Sequence, residues 1–255
     1  MHVILIPALQ DNYQHLLICE ETKQAAIVDP AEAKTIFPVL EKYQVKLTHI
    51  LNTHHHWDHV GGNQELAEHF GIPIFCSQHD VSRIAGASKS LVQGDEVAIG
   101  NLRLKVLDVP GHTLGHIAYY GHGRLFCGDT LFSAGCGRLF EGSPAMMMAA
   151  LYKLSGLPAE TLVHCGHEYT LNNLLFSKTL EPDNVALLKK LDEVRALRRE
   201  QMPTVPSTLR EELAYNPFLR IHSLVIRDAL TQIGYRGLND SLAIFTALRD
   251  YKNGF

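Results

Sequence analysis

The sequence predicts a mixed α/β fold followed by a smaller, wholly helical part. Three patterns carry this. Short apolar runs bounded by turn residues recur through the first two thirds, as strands do. Helical periodicity appears between some of them, at Phe37 to Tyr43 and Asn63 to Phe70. Beyond about Tyr169 the strand-like alternation stops and helical periodicity takes over. The expected division is a first domain at 1–168 and a second at 169–255.

Taken in order, Val3 to Ile6, His15 to Cys19 and Ala25 to Val28 are predicted antiparallel strands, separated by Asp11-Asn12 and the polar Glu20 to Lys23 turn. Phe37 to Tyr43 reads as a helix with Pro38 in its first turn, where the missing N–H costs nothing. Leu47 to Leu51 is a buried strand. Gly61-Gly62 reads as a tight turn before the amphipathic helix Asn63 to Phe70, and Ile72 to Cys76 as another strand. Glu96 to Ile99 with Leu102 to Val109, and Ile117 to Tyr120 with Arg124 to Cys127, form hairpins turning at Gly100-Asn101 and Gly121-His122-Gly123. Leu171 to Leu180, Asn184 to Glu200, Ser223 to Ile233 and Asp240 to Tyr251 are helices; Pro203, Pro206 and Pro217 make the middle of that region connecting loops.

The 255 residues are 46% hydrophobic and 20% charged, a composition that supports a buried core and argues against disorder. A net charge of −4 argues against broad nucleic-acid or anionic-membrane binding, though a local basic pocket for a small anion stays open. No stretch approaches the roughly 18 apolar residues of a membrane span, and Met1 to Pro7 lacks the basic, apolar form of a leader. The five cysteines, Cys19, Cys76, Cys127, Cys136 and Cys165, are an odd number without short paired spacing, which suits a reducing, cytoplasmic compartment.

The chemistry concentrates in Thr53-His54-His55-His56-Trp57-Asp58-His59, four imidazoles and a carboxylate within seven residues after a strand. Imidazole and carboxylate are ligands of borderline divalent metals, and the absence of cysteine from the cluster favours a catalytic over a structural site. Alternation projects His54 and His56 to one side, while Asp58 and His59 can reach a second position about 3.5–4 Å away, the gap of two-metal hydrolytic sites. His55 is expected to point away, and His116 to be structural. Other strand ends add His112 in Val109 to His116, Asp129 in Cys127-Gly128-Asp129-Thr130, and His167 in Thr161 to Glu168.

Together, His54-x-His56-x-Asp58-His59, His112, Asp129 and His167 resemble the metallo-β-lactamase superfamily, which implies an αββα sandwich with the metals at one edge of the packed sheets. Within it, Gly128 to Gly142, Gly166-His167-Glu168-Tyr169-Thr170 and the helical C-terminal part resemble the hydroxyacylglutathione hydrolase, or glyoxalase II, family. The resemblance implies that His54, His56 and His112 hold one metal, that Asp58, His59 and His167 hold a second, and that Asp129 bridges them, with Asp58 and Asp129 counted as catalytic. It implies zinc foremost, with iron or manganese as other candidates. It further implies cleavage of S-D-lactoylglutathione to glutathione and D-lactate, the second step of methylglyoxal detoxification, by a cytoplasmic monomer. Arg138, Tyr169, Arg249 and Lys252 match its glutathione-binding residues. Phe140 departs from the tyrosine of many eukaryotic members, so a hydroxyl contact to the peptide is not expected there.

The ligand set gives the same chemistry. Two divalent cations sharing a carboxylate and a water would bring that water's pKa toward about 7. A thiolate leaves without a strong general acid because its conjugate acid has a pKa of roughly 8.5. Two other readings stand beside this one: a glutathione-persulfide dioxygenase of the same superfamily, and a homologue that binds metal without turnover.

Overall fold

In the computed structural model, which describes Met1–Phe255, contacts divide the chain into two units: Met1–Asp108 with Leu114–Gly128, and Val109–Thr113 with Asp129–Phe255. In the first unit, β1 (His2–Ala8), β2 (Asn12–Ile18) and β3 (Gln24–Val28) run antiparallel as the apolar runs predict. Then α1 (Phe37–Tyr43) leads to β4 (Lys46–Leu51), followed by α2 (Trp57–Val60), α3 (Asn63–Phe70), β5 (Ile74–Ser77) and β6 (Ala87–Leu91). From β3 to β6 the neighbours are parallel, which completes a six-stranded sheet in chain order. Every residue of β2 is buried, as expected for a strand covered on both faces.

The remaining strands of this unit, β7 (Glu96–Ile99), β8 (Leu102–Asp108), β9 (Ile117–Gly121) and β10 (Arg124–Gly128), form an antiparallel meander. Its turns sit where glycine tolerates positive φ, Gly100 at +55° and Gly123 at +71° beside His122 at +51°. Leu17, Ala26, Val28 and Leu51 of the six-stranded sheet pack with Leu104, Val106, Tyr119 and Phe126 of the meander. The opposite face of the β1–β6 sheet buries Ile18, Ile27, Ile50 and Ile74 under Leu40 of α1 and Leu66 of α3. Each such aliphatic side chain contributes about 1.5–3 kcal/mol, so alternation along the strands suffices to fix which face turns inward.

Register then places the site. Val28 lies opposite Leu51 in the parallel pair, so the residues after the two strands, Asp29 and the Asn52-Thr53 step, emerge side by side. This is the carboxyl end of parallel strands, where irregular backbone gathers functional groups.

The second unit opens with the hairpin β11 (Leu131–Phe132) and β12 (Gly135–Cys136), then α4 (Pro144–Ser155), β13 (Leu162–Cys165), α5 (Thr170–Leu180) and α6 (Val185–Arg199). It ends with β14 (Ser207–Thr208), which pairs with β13, and with α7 (Leu209–Tyr215), α8 (Leu224–Ile233) and α9 (Ser241–Asn253). Ser143, Asn184, Ser223 and Asp240 cap four of these helices with side-chain oxygens, each satisfying a backbone N–H that the helix cannot. Ala134, Leu174, Leu187, Leu191, Val194 and Tyr215 form its apolar centre.

Three local features refine or change the expectations. The stretch expected as loop around Pro206 contains α7, started by a capping box in which Thr208 and Glu211 bond each other's backbone N–H. Gly61-Gly62 is the expected turn, made with negative φ, Gly61 at −58° and Gly62 at −87°. A Cβ at Gly61 would meet the Ala31 carbonyl at 2.5 Å and one at Gly62 the Ala33 nitrogen at 2.8 Å, so glycine permits close backbone approach there. Finally, β6 and α4 were not foreseen; β6 is a mostly exposed Ala-Ser-Lys-Ser-Leu segment without an apolar signal.

Candidate metal centre

In the first unit, the candidate ligands lie in the loop between β4 and α2. His54 Nε2 and His56 Nδ1 lie 3.0 Å apart, with ring centroids at 4.6 Å. Two ligands at tetrahedral zinc distances would be roughly 3.3 Å apart. The tautomer of His54 follows from its neighbours. Thr53 Oγ1 gives its single proton to Asp29 Oδ2 at 2.6 Å, so at 3.0 Å it accepts from His54 Nδ1, which leaves a lone pair on Nε2. A lone pair facing another ring nitrogen is an arrangement that a shared cation satisfies, and the donor set fits a divalent metal.

Asp29 also accepts the Thr53 backbone N–H at 2.7 Å, and its Oδ2 accepts from His59 Nδ1 at 3.1 Å. That bond turns His59 Nε2 toward Asp58, whose Oδ2 is 3.6 Å away. Possible ligand atoms of Asp29, His54 and His59 all lie within 4.8 Å of one another. Asn12, at the start of β2, donates to the Asp58 carbonyl at 3.1 Å and to its Oδ2 at 3.0 Å, which fixes that carboxylate's rotation. Asn52 holds the far side of the loop by donating to the His59 carbonyl, and Tyr119 donates to the Asn52 carbonyl. Asp29, Asn12 and Asn52 are functional partners that the sequence reading passed over. The signal was there for Asp29, a carboxylate directly after a buried strand.

The remaining histidines of the loop region take other places. His55 turns to Asp80, with Nδ1 3.3 Å from Oδ2, and Asp80 also faces His79 and Arg83. His116 stacks on His54 at 4.6 Å with 17° between the planes, so this buried ring packs against a candidate ligand ring.

In the second unit, His112, Asp129 and His167 are all buried. Asp129 follows β10 and His167 follows β13; His112 lies four residues beyond β8. Asp129 Oδ2 stands 3.5 Å from His112 Nε2 and 3.3 Å from His167 Nε2. His112 Nδ1 donates to the Arg138 carbonyl at 2.8 Å, and the His167 ring stacks on Tyr169 at 4.8 Å with planes 2° apart. Outer bonds of this kind fix the tautomer and orientation of a metal-ligating imidazole.

The four predicted substrate residues also lie in this unit. Arg138 and Tyr169 are exposed. Lys252 is half-buried: its Nζ donates to Asn172 Oδ1 at 2.9 Å and sits 4.9 Å from the Phe176 and Phe255 ring centroids. Burial, then the positive charges of Arg249 and Arg138, push its ammonium pKa down to about 8. Arg249 is buried, its Nη1 donating to the Cys136 carbonyl at 2.8 Å and its Nε to Asn253 Oδ1 at 3.2 Å. Phe140, 64% exposed, sets its ring edge against His112 with centroids 5.2 Å apart. All five cysteines are buried, and none forms a disulfide.

Residues 16–167 match the family described as the metallo-beta-lactamase superfamily, which places the chain in that class of metal-dependent proteins and agrees with the fold expected from sequence. Residues 168–255 match the family described as hydroxyacylglutathione hydrolase C-terminus. A hydroxyacylglutathione hydrolase of Gloeobacter violaceus is 49% identical over 100% of both chains, and one of Rhodospirillum rubrum is 46% identical over 98% of this chain and 97% of its own. Among solved structures, TTHA1623 in a di-iron-bound form superposes with a TM-score of 0.62 at 25% identity, covering 86% of this chain and 100% of that one. The chain belongs to the hydroxyacylglutathione hydrolase family, the thiolester hydrolases also called glyoxalase II. No helix is long and apolar enough to cross a membrane.

Proposed function

We propose that the chain hydrolyses S-(2-hydroxyacyl)glutathione thioesters, chiefly S-D-lactoylglutathione, at a dinuclear centre. His54, His56 and His112 would hold one metal, Asp58, His59 and His167 the other, and Asp129 would bridge them. The observation that carries the reading is Asp129 Oδ2 standing within 3.5 Å of the Nε2 atoms of both His112 and His167, a carboxylate oxygen shared between two imidazoles. The donor set suits zinc foremost, with iron or manganese as alternatives, and the related fold described above is known in a di-iron-bound form.

When bound, two divalent cations supply a water acidified toward neutrality and a Lewis acid for the thioester carbonyl. The chain's own residues do the rest. Asp29 and the Arg138 carbonyl keep His59 and His112 in the tautomers that leave Nε2 as the donor. Asn12 fixes the rotation of Asp58. Arg138, Lys252 and Tyr169 would receive the glutathione moiety, two cations and a phenol for a peptide carrying carboxylates, with Arg249 beside them. The thiolate leaves unaided by a general acid.

The cytoplasm suits five cysteines outside disulfides, and the reading takes the chain as a monomer. Loss of the thioester of S-D-lactoylglutathione, followed with metal-loaded protein and again after chelation, is the test. Turnover that disappears on chelation and returns with metal supports the proposal; turnover indifferent to chelation refutes it.

A further inference from the structure

The hairpin β11–β12 links two parts of the proposed centre, yet its strands are two residues long each. Asp129 precedes it, and Gly137-Arg138 follows it, with the Arg138 carbonyl orienting His112. Gly137 N–H closes the base on the Thr130 carbonyl at 3.3 Å. A two-stranded ribbon this short does not hold itself in water.

What holds its tip is a buried set of side chains from α5 and α7. Glu212, fully buried, accepts from Ser133 Oγ at 3.0 Å through Oε1 and from the Ala134 N–H at 2.8 Å through Oε2. Ala134 has φ +57°, and the Glu212 carboxylate is the acceptor that meets its N–H. Tyr215 OH donates to Oε1 at 3.1 Å and Asn216 Nδ2 to Oε2 at 2.9 Å. Asn216 Nδ2 also donates to the carbonyls of Phe132 at 3.2 Å and Gly135 at 3.0 Å, and Asn173 Nδ2 to that of Ser133 at 3.0 Å. Glu212 touches neither a proposed ligand nor the substrate residues, so the described chemistry does not use it.

We propose that Glu212 is a positioning residue for metal retention: by clamping the 133–134 tip it fixes the hairpin, and through the hairpin the Asp129 carboxylate and the Arg138 carbonyl on which His112 depends. This rests on the dinuclear reading of the site. The two carboxylate oxygens are not equivalent. Oε2 accepts from the Ala134 N–H and from Asn216 Nδ2, which can only donate, whereas Oε1 meets the hydroxyls of Ser133 and Tyr215, which can reverse and accept instead. A glutamine, with its oxygen at the Oε2 place and its amide nitrogen at the Oε1 place, therefore satisfies the same partners.

The test compares metal retention of the metal-loaded full chain in Glu212→Ala, Glu212→Gln and Glu181→Ala against a graded series of chelator concentrations, at a temperature where circular dichroism shows all variants folded. Glu181 is a buried carboxylate of the same unit, bound by Arg220, Ser223 and Asn184 and remote from the hairpin's hydrogen bonds, so it controls for lost stability alone. Outer partners of metal ligands change affinity 10- to 100-fold, so Glu212→Ala should lose metal at a chelator concentration at least about tenfold lower than wild type. Glu212→Gln should stay within about threefold, and Glu181→Ala should lower Tm while holding metal as wild type does. Glu212→Ala retaining metal like Glu181→Ala would overturn the proposal. Should Glu212→Ala not fold, Asn216→Ala, which removes the bonds to Phe132 and Gly135, takes its place with the same expectation. A wild-type chain that hydrolyses the thioester but binds no metal pair would refute the dinuclear reading itself, an outcome distinct from a metal-loaded chain insensitive to Glu212.

Discussion

The Nδ1–H of His112 donates to the Arg138 carbonyl oxygen at 2.8 Å, twenty-six residues along the chain, while Nε2 of the same ring faces Asp129 Oδ2 at 3.5 Å. The backbone crossing between them is Gly137. A Cβ there would collide with the Asp129 carbonyl oxygen and come within 3.1 Å of His112 Nδ1. Gly137→Ala should therefore displace both groups. Since a shift of about 1 Å in a site can cost roughly 10²-fold, kcat/KM should fall by that order with a lower metal content. Steady-state kinetics and metal analysis on folded protein check this; unaltered values would mean the segment relaxes without moving either side chain.

Asp29 ties three donors of the metal loop, the Thr53 N–H, the Thr53 hydroxyl and His59 Nδ1. Asp29→Asn keeps the size but offers one acceptor oxygen where three donors converge. Metal affinity should drop by about 10- to 100-fold, read by competition with a chromophoric chelator. Affinity within twofold of wild type would show that the loop holds its own shape.

His55 lies against Asp80, a buried carboxylate that also faces His79 and Arg83. His55→Ala should thus leave metal stoichiometry near wild type, whereas His54→Ala, His56→Ala and His59→Ala should each lower it. A metal lost from His55→Ala, with any of the other three fully loaded, would mean the loop is divided differently.

Lys252 and Arg249 should separate kinetically. The Lys252 ammonium has its pKa pushed down to about 8, so it is charged below that pH and neutral above it. If it receives a glutathione carboxylate, KM should climb as pH rises through 8, reaching up to about tenfold at pH 9, where roughly one molecule in ten keeps the charge. Lys252→Ala should start from a high KM, keep kcat, and lose that rise. Arg249 also holds the Cys136 carbonyl at the end of β12, so Arg249→Ala should lower kcat as well as raise KM. Identical effects of the two substitutions on kcat would count against this division.

Much of this was legible in the chain. The strands of the first unit other than β6 and the helices α1, α3, α5, α6, α8 and α9 follow periodicities strong enough to survive the move into three dimensions, and the histidine-rich loop announced its chemistry by composition. The residues that aim the ligands were not legible. Asn12 and Asn52 are single polar residues at strand ends whose contacts come from strand pairing rather than spacing, and Asp29, although it follows a buried strand, meets Thr53 only through the parallel register of β3 and β4. Glu212 hides within an ordinary Arg-Glu-Glu-Leu run, where nothing local distinguishes it from the neighbouring Glu211, which caps its own helix. Arg249 read as one face of a terminal helix, yet its guanidinium is buried against backbone carbonyls.

The order in which those supports are synthesised has a consequence of its own. Asp129 and the Leu131–Cys136 hairpin are translated early, but the groups that hold them come from positions 173, 177, 212, 216 and 249. At 5–20 residues per second, a ribosome leaves that hairpin without its full set of supports for several seconds, until the last helix has emerged. During that interval the bonds from Asn173, Glu212, Asn216 and Arg249 to the hairpin are still missing. Final placement of the Leu131–Cys136 hairpin is therefore expected to be a post-translational event, completed only when α5, α7 and α9 have all been made.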